Sequence, residues 1–293
     1  MRLRRWRRMS VPYALALLGS AWMIVLFLIP LISQLSVSLM TGDPEQGYNL
    51  TWNFGIYAEL FGPGAAVPYA LFLGRALLFG GAATLITILV GYPVAYFLAF
   101  RVPRRWKTPL LSLVVMSLLV SFIIRTYMWG FILGGHGPIL TWLRALHLAG
   151  PDFHILDTAG AVIGGLAYNS FPYMVLPIYA VLERIDPRTF EAAADLYASP
   201  RVGFFRTTLP LSRAGIFSGI LLVFIDSVGD PVNSQLLGGK TTYMIGQAIQ
   251  DSYLIQQQYN VASALSAVLM LALGVILFAY ARFFGTENIE DLV

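Results

Sequence analysis

The 293-residue sequence has no cysteine and very little charge, since only 12% of its residues are Asp, Glu, Lys or Arg. The missing cysteines exclude a disulfide-stabilised secreted domain. A soluble domain has about a quarter charged residues, so the low charge excludes an ordinary water-soluble fold. Apolar residues are abundant instead, at 57% of the chain, and the mean hydropathy is +0.70. This composition also excludes a disordered chain and a nucleic-acid-binding domain, and it predicts an integral membrane protein.

Long runs without charge predict where the chain crosses the membrane. A membrane-crossing helix needs about 20 mostly apolar residues. Six apolar runs are found, at residues 13–32, 76–100, 108–124, 158–182, 214–237 and 252–281. The third can continue past Arg125 to about 133, the fifth is interrupted by Asp226 and Asp230, and the best stretch of the sixth begins near Val261. The first run follows five arginines, but it is longer than the apolar region of a cleaved signal peptide, so a retained helix is predicted. The sequence therefore predicts an all-α, polytopic membrane protein with six transmembrane helices.

The distribution of Lys and Arg predicts the orientation of these spans. All but four of the 19 basic residues lie either in the N-terminal tail or directly after the second, fourth and sixth spans. Cytoplasmic segments carry the excess of Lys and Arg, so both termini are predicted to be cytoplasmic. The predicted organisation is a basic tail and peripheral first helix at 1–42, a periplasmic loop at 43–68, a five-helix core at 69–285 with a cytoplasmic loop at 183–213, and a cytoplasmic tail at 286–293.

The cytoplasmic loop between the fourth and fifth spans has a helical pattern. Asp186 is a suitable helix N-cap, and Pro187 is a suitable first helical residue. The alanine-rich run 190–198 favours a helix, Pro200 interrupts it, and residues 202–207 predict a second short helix. The residues that repeat at spacings of three and four on one face are Phe190, Ala193, Ala194 and Tyr197. By pattern alone, this amphipathic loop is also compatible with a helix lying on the membrane surface.

Within this loop, Glu191-Ala192-Ala193 is followed at a fixed distance by Leu209-Pro210. This spacing resembles the signature loop of bacterial ABC-importer permeases. Further segments, in the same order along the chain, resemble the first permease subunit of spermidine/putrescine importers. These segments are Gly91-Tyr-Pro-Val-Ala-Tyr-Phe, Arg101-Val-Pro-Arg-Arg, Ile124-Arg-Thr-Tyr, Phe171-Pro-Tyr-Met-Val-Leu-Pro and Leu236-Leu-Gly-Gly.

The resemblance implies the ABC-importer permease fold and a set of partner proteins. They are a second permease subunit in a heterodimer, two cytoplasmic ATPase subunits and a periplasmic protein that delivers a small cationic substrate. ATP and Mg²⁺ would bind to the partner ATPase, and this chain would bind no cofactor itself. Glu191 would make a charged contact with the ATPase. The residues implied in ATPase coupling are Glu191, Ala192, Ala193, Asp195, Leu196, Tyr197, Leu209 and Pro210.

Two residues of the loop depart from the pattern of that family. Tyr197 occupies the position of a glycine, and Thr207 occupies the position of an isoleucine. If the glycine position has a positive φ, a bulky aromatic residue there costs about 1 kcal/mol or more. We therefore expect these replacements to affect how the loop docks on the ATPase.

Two carboxylates lie inside the fifth predicted span, where ionisable residues are costly and usually functional. Asp226 and Asp230 are four residues apart, so on a continuous helix they share a face, which Asn233 extends. Paired carboxylates would attract a diamine or triamine through charge-assisted hydrogen bonds. The alternative is that Asp226 pairs with Arg125 and that Asp230 only marks the outer end of the helix.

The third and fourth spans add candidates for the substrate path. Asn169 and Tyr173 share a face of the fourth span, and two prolines predict a kink in it. The rings of Trp129 and Tyr127 in the third span can hold an ammonium by cation–π attraction, although aromatic residues in membrane helices are more often packing residues. The predicted path residues are Asp226, Asp230, Asn233, Asn169, Tyr173, Trp129 and Tyr127.

No catalytic residue or enzyme activity is predicted, because the sequence has no metalloprotease, phosphate-loop or nucleophile-elbow motif. The spacings of His136, His147 and His154 match no short metal motif, so no metal site is predicted either. Opines, aminophosphonates, thiamine and ferric ion are alternative cargoes for the same machinery. A stand-alone channel whose loop rests on lipid, and an intramembrane enzyme, are the alternatives of another class.

Overall fold

The computed structural model describes residues 17, 19–43, 45, 47–150, 152–195, 197 and 199–284. The N-terminal arginine cluster, the predicted tail at 286–293 and Leu196 lie outside the described residues. The regular structure of the described chain is helical apart from one two-stranded hairpin, which confirms the all-α prediction. In chain order the elements are α1 (Gly19–Ser38), β1 (Met40–Asp43), β2 (Gly47–Leu50), α2 (Gly55–Phe61), α3 (Tyr69–Phe100), α4 (Arg104–Leu119), α5 (Phe122–Leu133), α6 (Pro138–Ala145), α7 (Ala159–Leu182), α8 (Pro187–Asp195), α9 (Pro200–Leu211), α10 (Arg213–Gly229), α11 (Val232–Leu237), α12 (Ile245–Leu254) and α13 (Tyr259–Phe284).

Four of these helices, α1, α3, α7 and α13, are individually long and apolar enough to cross a membrane. Up to six spans result if each of two bent helix pairs crosses as one unit. The predicted number of six, and the cytoplasmic position of both termini, therefore stay predictions.

The chain forms two compact units, of which the first contains the residues up to Pro68 together with Ile249–Met270. In this unit β1 and β2 pair as an antiparallel hairpin, with Met40 opposite Leu50. The hydroxyls of Ser38 and Tyr57 lie 2.8 Å apart, and they fix α2 to the end of α1. The predicted periplasmic loop thus contains a strand and a short helix, which the sequence analysis did not assign.

The second unit contains Tyr69–Ala248 and the chain from Leu271, and its core is formed by α3, α7 and α10. Glycines let these helices approach closely. A Cβ atom at Gly215 of α10 would lie 2.8 Å from the carbonyl oxygen of Pro177, and one at Gly219 would lie 2.7 Å from the sulfur of Met174. Close packing at small residues is a usual source of stability between membrane helices.

The fourth predicted span is confirmed as α7. Thr158 caps it, because the Thr158 hydroxyl oxygen accepts a hydrogen bond from the Ala161 backbone N–H at 3.2 Å. Pro172 and Pro177 both lie inside the helix. The kink expected from these prolines stays a prediction.

The third predicted span, a helix from 108 to 133, is wrong as a continuous element. The chain leaves the helical conformation at Val120 and Ser121, with ψ angles of 134° and 128°. The helical segments before and after this break, Arg104–Leu119 and Phe122–Ala145, differ in direction by 94°. Neither residue is glycine or proline, so tertiary packing rather than local chemistry produces the break.

The fifth predicted span also ends early. α10 continues through Asp226 but stops at Gly229, and Asp230 is extended with a ψ of 120°. Pro231 accounts for this, because a proline biases the preceding residue away from the helical conformation. At its other end, α10 is bent by 63° relative to α9, and Ser212 lies at the bend.

The sixth predicted span was placed at 252–281, but its long helix, α13, begins at Tyr259. Residues up to Leu254 belong to the separate helix α12. Gln257, between the two helices, has a φ of +55°, which is incompatible with a continuous right-handed helix. The best stretch of this run, predicted to begin near Val261, agrees within two residues with the observed start, whereas residues 252–258 of the run do not belong to this helix.

Candidate functional site

A cavity of about 450 Å³ lies where the two helix breaks of the second unit meet. A volume of this size is typical of small-molecule sites. Its lining residues come from α4, α5, α7, α10, α11 and the connections between them. They are Leu118, Val120, Phe122, Arg125, Asn169, Tyr173, Asp226, Gly229, Asp230, Pro231 and Val232. Four of the seven predicted path residues, Asn169, Tyr173, Asp226 and Asp230, are thus brought together.

Asp226 presents a carboxylate to this cavity. Its Oδ2 accepts a hydrogen bond from the Ser170 hydroxyl at 2.8 Å, and the residue is exposed. Arg125 lines the same cavity, but among the described residues no ion pair within 4 Å joins it to Asp226. The Asp226 carboxylate therefore keeps hydrogen-bonding capacity for a donor that enters the cavity.

Asp230 is buried, and its carboxylate is occupied by the chain that follows it. Its Oδ1 accepts hydrogen bonds from the backbone N–H groups of Val232 at 2.6 Å and Asn233 at 3.3 Å, while its Oδ2 accepts one from the Asn233 side-chain amide. Asp230 thus caps the N-terminus of α11. The alternative that this residue marks a helix end is confirmed, and the single helical face predicted for Asp226, Asp230 and Asn233 is wrong because α10 stops before Asp230.

Asn233 does not line the cavity, but it orients a residue that does. The Asn169 amide donates hydrogen bonds to Asn233 Oδ1 at 3.1 Å and to the Thr126 hydroxyl oxygen at 2.9 Å. Asn169 itself is 1% exposed, and its Oδ1 has no hydrogen-bond partner among the described residues. A buried amide oxygen without a partner at a cavity wall is a site where a donor from water or a ligand can bind.

Two predicted path residues lie away from the lining of the cavity. The ring of Trp129 packs edge-on against Tyr168, with ring centroids 5.2 Å apart. Tyr127 is 65% exposed. The structure does not bring either ring to Asp226, and their role in a substrate path stays a prediction.

The electrostatic character of the cavity comes from Asp226, Asp230, Arg125 and four helix ends. Asp230 is already compensated by its capping bonds. The last turns of α4 and α10 and the first turns of α5 and α11 all contribute residues to the wall. The C-terminal ends carry a partial negative charge and the N-terminal ends a partial positive charge. The wall therefore offers the Asp226 carboxylate to a positively charged group and the Arg125 guanidinium to a negatively charged one.

Arg125 is the lining residue that the sequence analysis considered only as a possible partner of Asp226. Its guanidinium carbon lies 5.9 Å from the centre of the Phe122 ring, and its buried Nε has no hydrogen-bond partner among the described residues. The available signal was a single arginine inside an apolar run, which by default indicates a functional position.

The loop predicted to be cytoplasmic forms two helices, as expected. Asp186 caps α8, because its Oδ1 accepts a hydrogen bond from the Arg188 backbone N–H at 2.9 Å, and Pro187 is the first residue of this helix. Glu191 and Asp195 are exposed, whereas Ala193 is partly buried. The two carboxylates of α8 therefore lie on its exposed surface.

Tyr197 adopts the positive φ that a glycine would favour, at +56°, and its side chain is 98% exposed. α8 ends at Asp195, so Tyr197 does not extend the face formed by Phe190 and Ala193, and that part of the prediction is wrong. Because φ is positive at this position, the backbone strain expected for a bulky residue there applies to Tyr197.

α9 begins with Ser199 as N-cap and Pro200 as first residue, so Pro200 starts a helix as well as separating two. The residues Phe204–Thr208 form a π-helical turn that contains Thr207. Leu209 and Pro210 follow this turn, are partly buried, and lie directly before the bend at Ser212.

The comparisons with known proteins identify the family. Residues 91–287 match the family described as "Binding-protein-dependent transport system inner membrane component". The chain is 35% identical over 262 residues to the spermidine/putrescine transport system permease protein PotB of Haemophilus influenzae, covering 89% of this chain and 90% of that protein.

Solved structures show the same fold. A bacterial ABC transporter involved in the import of the acidic polysaccharide alginate is similar with a TM-score of 0.72 and 18% identity, covering 98% of this chain and 100% of that chain. The bacterial alginate ABC transporter in complex with its pentasaccharide-bound periplasmic protein gives a TM-score of 0.64 at 16% identity, with 95% of both chains covered. The predicted permease fold and multi-pass inner-membrane location are thereby confirmed. The chain belongs to the binding-protein-dependent transport system inner membrane components, the permease subunits of ABC importers.

Proposed function

We propose that this permease subunit carries polyamines such as spermidine and putrescine. The observation that supports this cargo most directly is the Asp226 carboxylate at the cavity wall, which has one close hydrogen-bond donor, Ser170, in the structure. A protonated amine is a suitable second donor, since charge-assisted hydrogen bonds are stronger than neutral ones. The resemblance to permeases named for spermidine and putrescine points to the same cargo.

The second amine of such a cargo needs acceptors other than Asp230, which is occupied by α11. Asn169 lines the cavity wall, and its buried Oδ1 has no hydrogen-bond partner among the described residues. The ends of α4 and α10 contribute Leu118 and Gly229 to the same wall. Tyr173 adds an aromatic ring to the same wall, which suits an ammonium or its methylene chain. We assign these groups to the cargo path.

The partners of this subunit are a second permease in a heterodimer, two ATPase subunits and a periplasmic binding protein. ATP and Mg²⁺ bind to the ATPase, and this chain holds no cofactor. In this assembly the exposed Glu191 and Asp195 of α8 contact the ATPase. Closure of the ATPase on ATP displaces α8 and switches the cavity between inward-facing and outward-facing states.

The experiment that tests the cargo is uptake of radiolabelled spermidine by cells that express the complete transporter and lack other polyamine importers. Asp226→Asn removes the charge but keeps the size of the side chain. We expect the KM for spermidine to rise about tenfold or more, because a hydrogen bond to a charged group contributes about 1.5–3 kcal/mol. Membrane abundance is measured by immunoblot in parallel.

The matched control is Asp152→Asn, which removes the same charge from an exposed loop residue outside the cavity. We expect its uptake to stay within about twofold of wild type. Equal uptake by wild type and the two variants would exclude Asp226 as a cargo ligand.

Arg125 favours a second candidate, a zwitterionic cargo such as an opine. The guanidinium of Arg125, whose Nε has no hydrogen-bond partner in the described part of the chain, can bind a carboxylate while Asp226 binds the amine of the same molecule. Competition distinguishes the two cargoes. An excess of unlabelled opine that blocks spermidine uptake in wild type but not in Arg125→Gln would favour the zwitterion, and opine without effect favours the polyamine.

A further inference from the structure

We propose that a row of five aromatic side chains transmits the movement of α8 to α10, and so connects the ATPase-facing surface to the cavity. This aromatic row consists of Phe190, Phe100, Tyr96, Phe204 and Tyr92. The inference rests on the proposed docking of α8 on an ATPase, but it does not depend on which cargo is carried. It assigns positioning roles to residues that the sequence analysis left without a function.

The first part of the row joins α8 to the cytoplasmic end of α3. The ring of Phe190, on α8, lies 5.1 Å from the ring of Phe100, the last residue of α3. One turn back along α3, Tyr96 lies 5.0 Å from Phe100. Both pairs are edge-to-face, the arrangement that aromatic quadrupoles favour. A displacement of α8 is therefore passed to the end of α3 through direct ring contact.

The second part of the row joins α3 to α9 at a single residue. Phe204 packs edge-on against both Tyr96, at 5.7 Å, and Tyr92, at 5.8 Å. Phe204 is also the first residue of the π-helical turn that ends at Thr208. Turns of this kind are rare, are often found at functional sites, and kink the helix that contains them. The row thus contacts α9 at its π-helical turn, where the helix can most easily change between π-helical and α-helical hydrogen bonding.

The last part of the row fixes the bend between α9 and α10. The hydroxyls of Tyr92 and Ser212 lie 3.0 Å apart, and Ser212 donates its own hydrogen to the carbonyl of Leu209 at 3.0 Å. A serine hydroxyl has one hydrogen, so Tyr92 must be the donor to Ser212. Ser212 is 0% exposed and lies where α9 and α10 meet at 63°. Tyr92 therefore holds this bend through a directional bond.

The far end of α10 is the cavity. Asp226 follows Ser212 by 14 residues of helix, which correspond to about 21 Å at the rise of an α-helix. Close contacts at Gly215 and Gly219 pack the first part of α10 against α7, and the helix is continuous from there through Asp226. A change of the bend at Ser212 is consequently converted into a displacement of the Asp226 carboxylate.

The test uses the complete transporter, with its second permease, ATPase and binding protein, reconstituted in liposomes. We measure the number of spermidine molecules imported per ATP hydrolysed. Phe204→Leu removes the central ring, and Tyr92→Phe removes only the hydroxyl that reaches Ser212. We expect both variants to lower this ratio at least fivefold while the ATPase rate stays within twofold of wild type.

The control is Phe97→Leu, because the Phe97 ring is next in sequence to Tyr96 on α3 but is 55% exposed, and no ring contact joins it to the row among the described residues. We expect it to keep the wild-type ratio. A double-mutant cycle tests the hydroxyl contact, since Ser212→Ala should add nothing to Tyr92→Phe if both remove one bond. Should Phe204→Leu fail to assemble, Tyr92→Phe and the cycle decide the question.

The proposal is overturned if Tyr92→Phe keeps the wild-type ratio, or if Phe97→Leu lowers the ratio as much as the row variants do. A wild-type complex that imports no spermidine contradicts the cargo proposal alone. In that case the row is tested by the stimulation of ATP hydrolysis on adding the binding protein. We expect Tyr92→Phe to reduce this stimulation at least threefold, and an unchanged stimulation overturns the row.

Discussion

The side-chain amide of Asn233 donates a hydrogen bond to the carboxylate of Asp230, and both residues are buried. The same asparagine accepts a hydrogen bond from Asn169 of α7. The break between α10 and α11 is therefore an ordered connection whose polar side chains are hydrogen-bonded, and it is not a locally unfolded stretch of helix. This arrangement separates the two carboxylates of the predicted path, since Asp230 has a structural role and Asp226 is left to face the cavity.

Replacing Asp230 tests this division of roles. Asp230→Ala removes the cap of α11 and leaves the buried Asn233 amide without its acceptor, which should lower the free energy of unfolding by about 1–3 kcal/mol. Asp230→Asn keeps an acceptor oxygen and should cost less than about 1 kcal/mol. Equilibrium unfolding of the purified transporter in detergent micelles measures both. If Asp230→Ala and Asp230→Asn lowered the free energy of unfolding equally, the capping role of Asp230 would be contradicted.

Small residues in the α7–α10 contact give a second prediction. Gly215→Ala would place its Cβ 2.8 Å from the Pro177 carbonyl oxygen and 2.9 Å from the Ile178 Cα, both of them backbone atoms that cannot yield without shifting a helix. We expect a loss of about 1–3 kcal/mol, the usual cost of overpacking. The matched variant is Gly164→Ala in α7, whose Cβ would meet nothing within 4 Å.

An exposed helical glycine replaced by alanine usually gains about 0.5–1 kcal/mol. The same unfolding measurement should therefore give opposite signs for Gly215→Ala and Gly164→Ala. A loss of similar size in both variants would mean that glycine is needed for flexibility and not for close approach.

Backbone strain at Tyr197 gives a third prediction. With φ at +56°, a glycine should be better tolerated than any residue with a Cβ atom by about 1–2 kcal/mol. Tyr197→Gly is compared with Tyr197→Ala, because both lose the exposed ring and only the glycine removes the Cβ. We expect a protease to cleave the loop more slowly in Tyr197→Gly than in Tyr197→Ala. Faster cleavage of the glycine variant than of the alanine variant would refute the strain.

Local chemistry was sufficient to predict several elements of this fold. The apolar run from 158 begins where α7 begins, and Asp186 with Pro187 identified the start of α8. The family pattern, which places glycine at Tyr197, gave a positive φ there only as a condition, and the structure meets that condition. In each case the deciding interaction lies within a few residues of the predicted position.

The cavity could not be predicted in the same way. The break at Val120 and Ser121 carries no glycine or proline, and hydropathy treats the apolar run around it as a single span. Arg125 and Asp226 are 101 positions apart, and only the tertiary fold places them on one wall. The sequence therefore predicts the chemical groups of the site. It does not predict that Asp230 caps α11 while Asp226 faces the cavity.

The break that interrupts the third span has a consequence for where this part of the chain can lie. The last carbonyls of α4 have no partner within the helix, and hydrocarbon offers none. Non-helical backbone inside a membrane is tolerated only where it is buried in protein or lines a polar space. Val120 lies both at the break and in the cavity wall, so the break and the cavity depend on each other, and filling the cavity with apolar side chains would remove the surroundings that the broken helix needs.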